Sequence, residues 1–399
     1  MKIVGTKYCG HDSAICLLNT KNRTIFAMST ERVTRIKHDQ IDVTPILEKY
    51  PMDAVDYVAH SYSDFADKGH DGELREKMTF TKDIEKALRL IIKPKYAKDM
   101  ILSRVEKNKF IFKSLFTNFS AVRAYYRAKF RRALVKESAV SNRKAFISYI
   151  KKNFNQFNLN PKEIFFYEHH LCHAIPSYYL SPFNGQKALA LTIDGQGDGF
   201  FSKLFVFDGV NDHQLIGQSK AEFLDKGIFS SIGRIYEDFT RAMDLRPNSD
   251  EGKVEALAAY GEADKDLLIQ LKSATKIDDN NLSIIFDAIK IKPFYDIEWL
   301  KEQRSKIGDE NFCASVQTFL EDTIVTYLNY AYEKYPIKNL CLSGGVAANI
   351  IMSLNIYERT EFKNIYVLPP MADDGLAIGS AILTAIDLGE DVSWLKNFE

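Results

Sequence analysis

The chain has 399 residues, of which 46% are hydrophobic, and its 53 basic and 53 acidic residues give a net charge of zero. This length supports two sizeable lobes and excludes a disordered chain, while five cysteines without a CxxC pair argue against disulfide frameworks and cysteine zinc sites. Because there is no apolar leader and no membrane-spanning apolar run, we expect a cytoplasmic protein in a reducing compartment, without membrane partners.

The N-terminal residues show the alternation of a β-meander. Strands are predicted at residues 2–7, 13–18 and 24–29, with a Gly-containing loop at 8–12. The same order returns later, with strands at 187–193, 200–207 and 213–219 and a Gly-rich loop at 194–199. Such repetition predicts a duplicated α/β architecture. Backbone N–H groups in Gly-rich turns suit anions, so both loops are candidates to face a nucleotide or phosphate.

Two charged segments follow the first meander. Residues 30–39 carry several cations and are typical of a solvated helix start or turn. Residues 91–154 hold 17 Lys and Arg against three Asp and Glu, with apolar residues at helical spacing. We interpret this stretch as a basic helical insertion. Its surface is either solvated, a dock for an acidic partner, or a binding face for nucleic acid or another polyanion.

The segment Glu168–Ala174 contains a pair of histidines four residues apart. In a helix, His169 and His173 share one face, which is the spacing at which two imidazoles can bind one metal ion. An oxygen ligand must then come from elsewhere, and the turns Asp194-Gly195 and Asp373-Asp374-Gly375 offer one. HxxxH is common, and the alternative is a helix start whose histidines make only hydrogen bonds. Mixed imidazole and carboxylate ligands allow iron, manganese or zinc.

The C-terminal half contains three candidate phosphate or ligand sites. A Gly-Lys pair precedes a predicted helix at 254–261, although lysine in that place is usually a surface residue. A strand at 339–342 runs into a double glycine and a helix, which is a geometry for nucleotide approach but neither GxGxxG nor Walker A. After the strand at 364–368, an aspartate either caps the helix at 375–386 or faces a cleft as a ligand. Residues 262–310 predict no regular structure, and a helix is predicted at 312–335.

Together these motifs resemble the O-carbamoyltransferases of the NodU/CmcH type. The matching segments are His11–Ala14, Glu31–His38, Glu168–Ala174, Asp194-Gly195, Glu251–Lys253, Leu257–Gly261, Ser343–Asn349 and Pro369–Gly375. They follow the order of the family and cover about residues 1–60 and 165–385. The corresponding family domain is similar to TsaD-like threonylcarbamoyl transferases. The resemblance implies a two-lobed α/β fold of the actin-like ATPase (ASKHA, TsaD-like) type, with the basic helical insertion added.

The resemblance also implies an activity. A carbamoyl group would pass from carbamoyl-adenylate, made from carbamoyl phosphate and ATP, to a hydroxyl on a sugar, nucleotide or natural-product-like acceptor. By motif position a divalent metal, iron(II), would be held by His169, His173 and Asp373, with Asp194 beside it. The implied catalytic residues are His11, which would assist deprotonation of the acceptor, Asp12, and Lys37 and Arg35, which would face the carbamoyl and phosphate groups. The implied nucleotide-binding residues are Gly195, Gly197, Lys253, Ser343, Gly344, Gly345, Val346, Asn349 and Asp374.

The expected organisation is first-lobe strands and nucleotide loop at 1–60, insertion at 61–160, metal helix and second lobe at 161–385, and tail at 386–399. The family also carries a YrdC-like domain, and the chain ends at Glu399 before it. We therefore expect a separate YrdC-like partner, a shortened chain or a diverged activity. Glu255-Ala256 stands where the family has Met-Gly, beside the nucleotide.

Two other functions compete with this one. The first is a binding or assembly subunit that needs a YrdC-like partner for any turnover. The second is a sugar-kinase-like ATPase, against which the HxxxH pair and the absence of a clear kinase base argue.

Overall fold

A computed structural model describes residues 1–7, 12–37, 43–61, 147–148, 150–209, 212–225 and 228–396. The chain divides into two compact units. The first comprises Met1–Ser63, Phe154–Glu222 and Phe229–Glu399, and the second comprises Asp64–Asn153 and Phe223–Ile228. Most of the predicted basic insertion lies outside the described residues. In the described ranges, no helix combines the length and the apolar character that crossing a bilayer requires.

The elements are numbered along the chain. The strands are β1 (Lys2–Lys7), β2 (Ala14–Asn19), β3 (Thr24–Ser29), β4 (Tyr57–His60), β5 (Glu163–Phe166), β6 (Lys187–Gly197), β7 (Phe200–Asp208), β8 (His213–Lys220), β9 (Phe223–Asp225), β10 (Ile228–Phe229), β11 (Thr275–Asp278), β12 (Ser283–Phe286), β13 (Asn339–Ser343) and β14 (Asn364–Val367). The helices are α1 (Thr30–Thr34), α2 (Thr44–Lys49), α3 (His169–Tyr179), α4 (Ile232–Ala242), α5 (Glu251–Ala258), α6 (Lys265–Ser273), α7 (Ile297–Ile307), α8 (Asp309–Lys334), α9 (Ile350–Arg359) and α10 (Leu376–Asp387). Short 3₁₀ turns occupy Lys292–Tyr295, Gly345–Ala348, Asp373–Gly375 and Ser393–Leu395.

The two five-stranded sheets of the first unit repeat one topology. In the first sheet the order is β3-β2-β1-β4-β5, with β1, β2 and β3 antiparallel and β1, β4 and β5 parallel. In the second sheet the order is β8-β7-β6-β13-β14, and the antiparallel and parallel pairs fall in the same places. The central strands are buried along most of their length, as parallel pairing under helices requires. This correspondence confirms the predicted duplicated α/β fold of the actin-like type.

Helices α3 and α10 pack against each other and against the two sheets. Helix α10 packs on β1 and β2 and on α3, and α3 packs on β6 and β13. A Cβ built on Gly5 would overlap the carbonyl oxygen of Ala377, and a Cβ built on Gly379 would overlap that of Cys172. These close approaches explain why glycine occupies both positions. They also bring the start of α10 beside the histidines of α3.

Several element bounds differ from the predictions. Strand β6 continues to Gly197, so the predicted loop at 194–199 shrinks to a tight turn at Asp198-Gly199, where both residues have positive φ. Two consecutive left-handed residues form the kind of turn that closes hairpins, and the glycines on either side had suggested a longer loop. Neither Asp373 nor Asp374 caps α10, because a 3₁₀ turn precedes the helix.

Two predictions about the segment 250–310 are wrong. Helix α5 begins at Glu251 rather than at Val254, so Lys253 lies inside its first turn instead of before it. An acidic first residue favours this start, and glycine so near an N-terminus does not prevent it. Residues 262–310 contain α6, α7, β11 and β12 rather than irregular chain. Their buried apolar side chains, such as Leu267, Leu271 and Leu300, alternate with many charged residues, which obscured the helical period.

Candidate metal centre

Helix α3 carries both histidines of the predicted pair. Its first turn is fixed by two carboxylates: Glu168 accepts a hydrogen bond from the backbone N–H of Leu171 at 2.7 Å, and Asp198 accepts one from that of His169 at 2.8 Å. The imidazoles of His169 and His173 are both buried, and their ring centroids are 4.8 Å apart. The predicted helix and the shared face are confirmed.

Two carboxylates from distant segments reach the same point. Oδ2 of Asp194 lies 3.1 Å from Nε2 of His169 and 3.2 Å from Nε2 of His173. Oδ1 of Asp373 lies 3.8 and 3.7 Å from the same nitrogens. One ligand atom of each residue lies within 4.8 Å of the others, and no second group of this kind occurs in the described part of the chain. Two buried imidazoles, one buried carboxylate and one half-buried carboxylate fit a divalent ion.

The histidines and carboxylates of this group shift one another's pKa values. Burial favours the protonated form of Asp194, but hydrogen bonds from His169 and His173 outweigh it and hold the pKa of Asp194 below its usual value. Burial lowers the pKa of His173, yet its bonds to Asp194 and Asp373 raise that pKa to about 9. His173 therefore keeps a proton at neutral pH, while its Nδ1 is buried without a hydrogen-bond partner among the described residues. A metal ion would displace this proton.

Lys7, which the sequence did not indicate as a site residue, contacts the group. Its Nζ lies 2.8 Å from Oδ2 of Asp373, and the two side chains are 9% and 8% exposed. Burial alone would lower the pKa of Lys7, but Asp373, Asp194 and Asp12 raise it overall. The lysine is therefore charged. It ends a short alternating strand, a place where lysine usually faces solvent, so no local pattern could have revealed the contact.

Two of the predicted catalytic residues, His11 and Asp12, are adjacent in sequence. His11 lies outside the described residues. Asp12 is buried with a φ of 61°, and it lies close enough to Asp374 to influence it. Burial and the charges of Asp12, Asp373 and Glu31 raise the pKa of Asp374 to about 6. Two further carboxyl groups thus lie beside the metal group.

The predicted cations are exposed on the surface of the first unit. Arg35 is exposed and has a φ of 63° at the end of α1. Lys37 donates a hydrogen bond to the carbonyl oxygen of Ser249 at 3.0 Å, and Lys253 pairs with Asp250 at 2.9 Å. Lys37 and Lys253 are far apart in sequence, but they bind neighbouring residues, Ser249 and Asp250. This convergence was not predicted.

The two glycines of β6 that were assigned to the nucleotide have different surroundings. A Cβ built on Gly197 would overlap the imidazole of His169, so this glycine makes room for a candidate metal ligand. A Cβ built on Gly195 would have no heavy atom within 4 Å. Gly195 therefore borders open space, where a ligand can approach its backbone.

The loop after β13 is attached to the metal group. Ser343 donates a hydrogen bond from Oγ to the carbonyl oxygen of His173 at 3.0 Å. Gly344 has a φ of 91° and lies against Ile193, while a Cβ on Gly345 would lie 3.3 Å from Oδ1 of Asp194. Gly345 is exposed and Val346 is half-buried. The double glycine therefore lies directly beside a candidate metal ligand.

Asn349 ends the same loop, but its side chain is already engaged. Its Oδ1 accepts hydrogen bonds from the backbone N–H of Met352 at 2.7 Å and from Nε2 of Gln317 at 2.9 Å. Its Nδ2 donates to Oε1 of Gln317 at 2.8 Å. Asn349 is the N-cap of α9 and half of a buried amide pair. The importance of Gln317 could not be read from the sequence, since it follows no motif.

Comparison with known proteins places the chain in one family. The family model described as Carbamoyltransferase N-terminus matches residues 2–382. The uncharacterized protein MJ1058 of Methanocaldococcus jannaschii is 41% identical over 414 residues, which cover all of this chain and 65% of that protein. The nodulation protein NolNO of Sinorhizobium fredii is 28% identical over 278 residues, covering 68% of this chain and 39% of the relative.

Two more distant similarities agree with the fold. A tRNA N6-adenosine threonylcarbamoyltransferase of Streptococcus pneumoniae is 27% identical over 183 residues, covering 46% of this chain and 48% of the relative. The solved structure of full-length HypF in its phosphate- and nucleotide-bound form has a TM-score of 0.50 and 14% identity, covering 98% of this chain and 56% of that one. At that identity the likeness concerns the fold alone. The chain spans less than two thirds of the length of each of these proteins.

Proposed function

The chain belongs to the carbamoyltransferase family that its motifs resemble, and we propose that it transfers a carbamoyl group from carbamoyl-adenylate to an acceptor hydroxyl. The observation that carries the proposal is the convergence of two imidazoles and two carboxylates within 4.8 Å. Carbamoyl transfer requires a polarised carbonyl, a stabilised leaving phosphate and a base for the incoming hydroxyl. We assign residues of this chain to each of these needs in turn.

The first need is charge stabilisation. We propose that His169, His173, Asp194 and Asp373 hold a divalent cation, which the resemblance implies is iron(II). Such a cation, when bound, supplies Lewis-acid stabilisation of negative charge on an oxygen. Asp194 orients both imidazoles through one oxygen, which supports the assignment. The mixed ligand set is equally compatible with manganese or zinc.

The second need is a site for the nucleotide and its phosphate. The open space at Gly195 and the exposed Gly345 beside Asp194 support binding of the nucleotide between β6 and the loop after β13. Lys37 and Arg35, exposed on the same unit, would face the carbamoyl and phosphate groups, and Lys253 would contact the nucleotide. The donor would form from carbamoyl phosphate and ATP on a YrdC-like partner or domain. We propose these roles together with those of Val346 and Asp374.

The third need is a base for the acceptor. The resemblance assigns this role to His11, which lies outside the described residues, with Asp12 next to it. Asp12 is buried and its charge helps to raise the pKa of Asp374, which supports a role for both carboxyl groups near the base. The acceptor would be a sugar, a nucleotide or a natural-product-like alcohol. A polyanionic acceptor would suit the basic insertion.

Calorimetric titration of the metal-loaded chain with a non-hydrolysable carbamoyl-adenylate analogue tests the proposal. We expect binding by the wild type and a large loss of both metal content and affinity in His169→Ala. His213→Ala is the matched control, because His213 of β8 stacks on Phe207 of β7 and is not one of the four residues of the candidate metal group. Absence of analogue binding by wild type, or equal behaviour of the two histidine variants, would count against the assignment.

A turnover assay separates the enzyme from an assembly subunit. The chain is supplied with carbamoyl-adenylate and a panel of hydroxyl acceptors, and in parallel with carbamoyl phosphate and ATP. Transfer from the ready-made adenylate is expected without any other protein. Activity with carbamoyl phosphate and ATP is expected only after a YrdC-like protein is added. Failure of both reactions would favour a binding subunit instead.

A further inference from the structure

Lys7 forms a buried ion pair with Asp373, and the proposed function gives this lysine no role. The lysine comes from the last residue of β1 in the first sheet, and the aspartate from the turn before α10. The pair is 2.8 Å long and nearly inaccessible to solvent. Removing two charges from water is unfavourable unless each meets a good partner, so a buried pair of this kind needs a reason in the structure.

The two oxygens of Asp373 point in different directions. Oδ1 faces the two histidines, 3.8 Å from Nε2 of His169 and 3.7 Å from Nε2 of His173. Oδ2 faces Nζ of Lys7. A carboxylate in this orientation offers one oxygen to the histidine side. The other oxygen is already occupied by an ammonium group.

We propose that Lys7 is a positioning residue that holds Asp373 as a ligand through one oxygen and offsets part of the negative charge of the ligand set. Asp194 and Asp373 bring two negative charges to the two neutral imidazoles that would bind a cation. The positive charge of the Lys7 ammonium reduces the net charge of this group from −2 to −1. A bound divalent ion then retains more net positive charge than it would in a site without the lysine, at the expense of affinity.

This inference rests on the proposed metal site, and its effect has a definite sign. Loss of the lysine charge removes a repulsion toward the incoming cation and frees the second oxygen of Asp373. Affinity for a divalent ion should therefore rise, by about tenfold or more at the effective dielectric constant of a partly buried site. A lysine that served folding alone would lower stability without tightening metal binding.

The test measures affinity for Mn²⁺ and for Zn²⁺ separately, by competition with a chromophoric chelator, on full-length chains. Lys7→Met is expected to bind both ions about tenfold more tightly than wild type and to show a larger rise in melting temperature when metal is added. Lys7→Gln keeps a hydrogen-bond donor for Oδ2 of Asp373 but carries no charge. Its metal affinity should lie between those of wild type and Lys7→Met. It carries the test if Lys7→Met does not fold.

Lys203 supplies a matched control. It is another buried lysine in a carboxylate pair, with Glu168 at 3.0 Å, and it contacts none of the four candidate ligands. Lys203→Met should lose stability without any gain in metal affinity. Affinities of the Lys7 variants within twofold of wild type, or below it, would overturn the role of Lys7. If wild type itself binds neither ion, the metal site fails instead.

Discussion

The imidazole of His169 occupies the space that a side chain at Gly197 would need. The two residues belong to different elements, α3 and the end of β6, and they meet because Asp198 binds the backbone N–H of His169. Two residues earlier in the same strand, Gly195 borders open space. The glycines of one short motif therefore have separate roles, one in seating a candidate metal ligand and one in leaving room for a substrate.

This difference predicts opposite consequences for two alanine substitutions. Gly197→Ala should displace the His169 ring, weaken metal binding by about 10- to 100-fold, and cost about 1–3 kcal/mol of stability through overpacking. Gly195→Ala should leave metal affinity unchanged and reduce binding of the carbamoyl-adenylate analogue. Metal competition and analogue titration on both variants give the comparison. Equal metal affinities in the two variants would refute the assignment of Gly197.

The raised pKa of His173 predicts how stability depends on pH when metal is absent. Its folded-state pKa of about 9 exceeds the ordinary value of 6.5, so protonation stabilises the fold. This contribution is complete below about pH 6.5 and disappears as the pH rises through about 9, and the free energy of unfolding should fall over that interval. Urea denaturation in the presence of a chelator measures the trend. His173→Gln should flatten it, and an unchanged slope in that variant would contradict the prediction.

The same proton competes with a cation. Metal binding must displace it, so affinity for Zn²⁺ should increase with pH up to about 9 and level off above it. Chelator competition at several pH values, together with proton release measured in two buffers of different ionisation enthalpy, tests this expectation. An affinity independent of pH between 6.5 and 9 would show that His173 is not a ligand.

Asn349 is predicted to act mainly through structure. Asn349→Ala removes the cap of α9 and two of the four hydrogen bonds of the Gln317 side-chain amide, which should cost about 2–4 kcal/mol. Asn355→Ala on the same helix is the control, because its side chain bonds only within α9 and should change stability by less than about 0.5 kcal/mol. Chemical denaturation measures both. A small effect at Asn349 with a large loss of analogue binding would instead indicate direct nucleotide contact.

Lys253 is predicted to contact the anionic donor. Lys253→Met should weaken analogue binding by about tenfold, the effect of losing one charge-assisted hydrogen bond, and leave metal affinity unchanged. Lys301→Met is a suitable control, since Lys301 forms an exposed pair of the same kind with Asp244 at 2.7 Å. The loss at Lys253 should shrink at high salt. Matching losses in the two variants would indicate a general charge effect only.

The sequence revealed the elements whose signals are local. Alternation at residues 2–7 and 187–193 indicated the central strands, and their repeated context indicated duplication. The spacing of His169 and His173 indicated a shared helix face, because helical period is a property of neighbouring residues. The elements within residues 262–310 were missed, because charged residues separate their buried apolar positions and because their helices gain stability from packing on α8.

The candidate site was predictable in its ligand types but not in its surroundings. The sequence offered carboxylates at Asp194-Gly195 and Asp373-Asp374-Gly375, and the structure brings one aspartate from each segment to the histidines. The role of Gly197, the meeting of Lys37 with the segment of Lys253, and the amide pair of Asn349 all depend on contacts between elements remote in sequence. No spacing rule relates such residues.

What the sequence determined by itself was the family, the duplicated fold and the two histidines, because strand alternation, helical period and ordered motifs are written in adjacent residues. Only the tertiary structure decided that Lys7 meets Asp373 and that both lie beside α3. That contact exists because Gly5 and Gly379 let α10 approach β1 on one side and α3 on the other. Distances across a fold follow from such packing, which depends on every element at once.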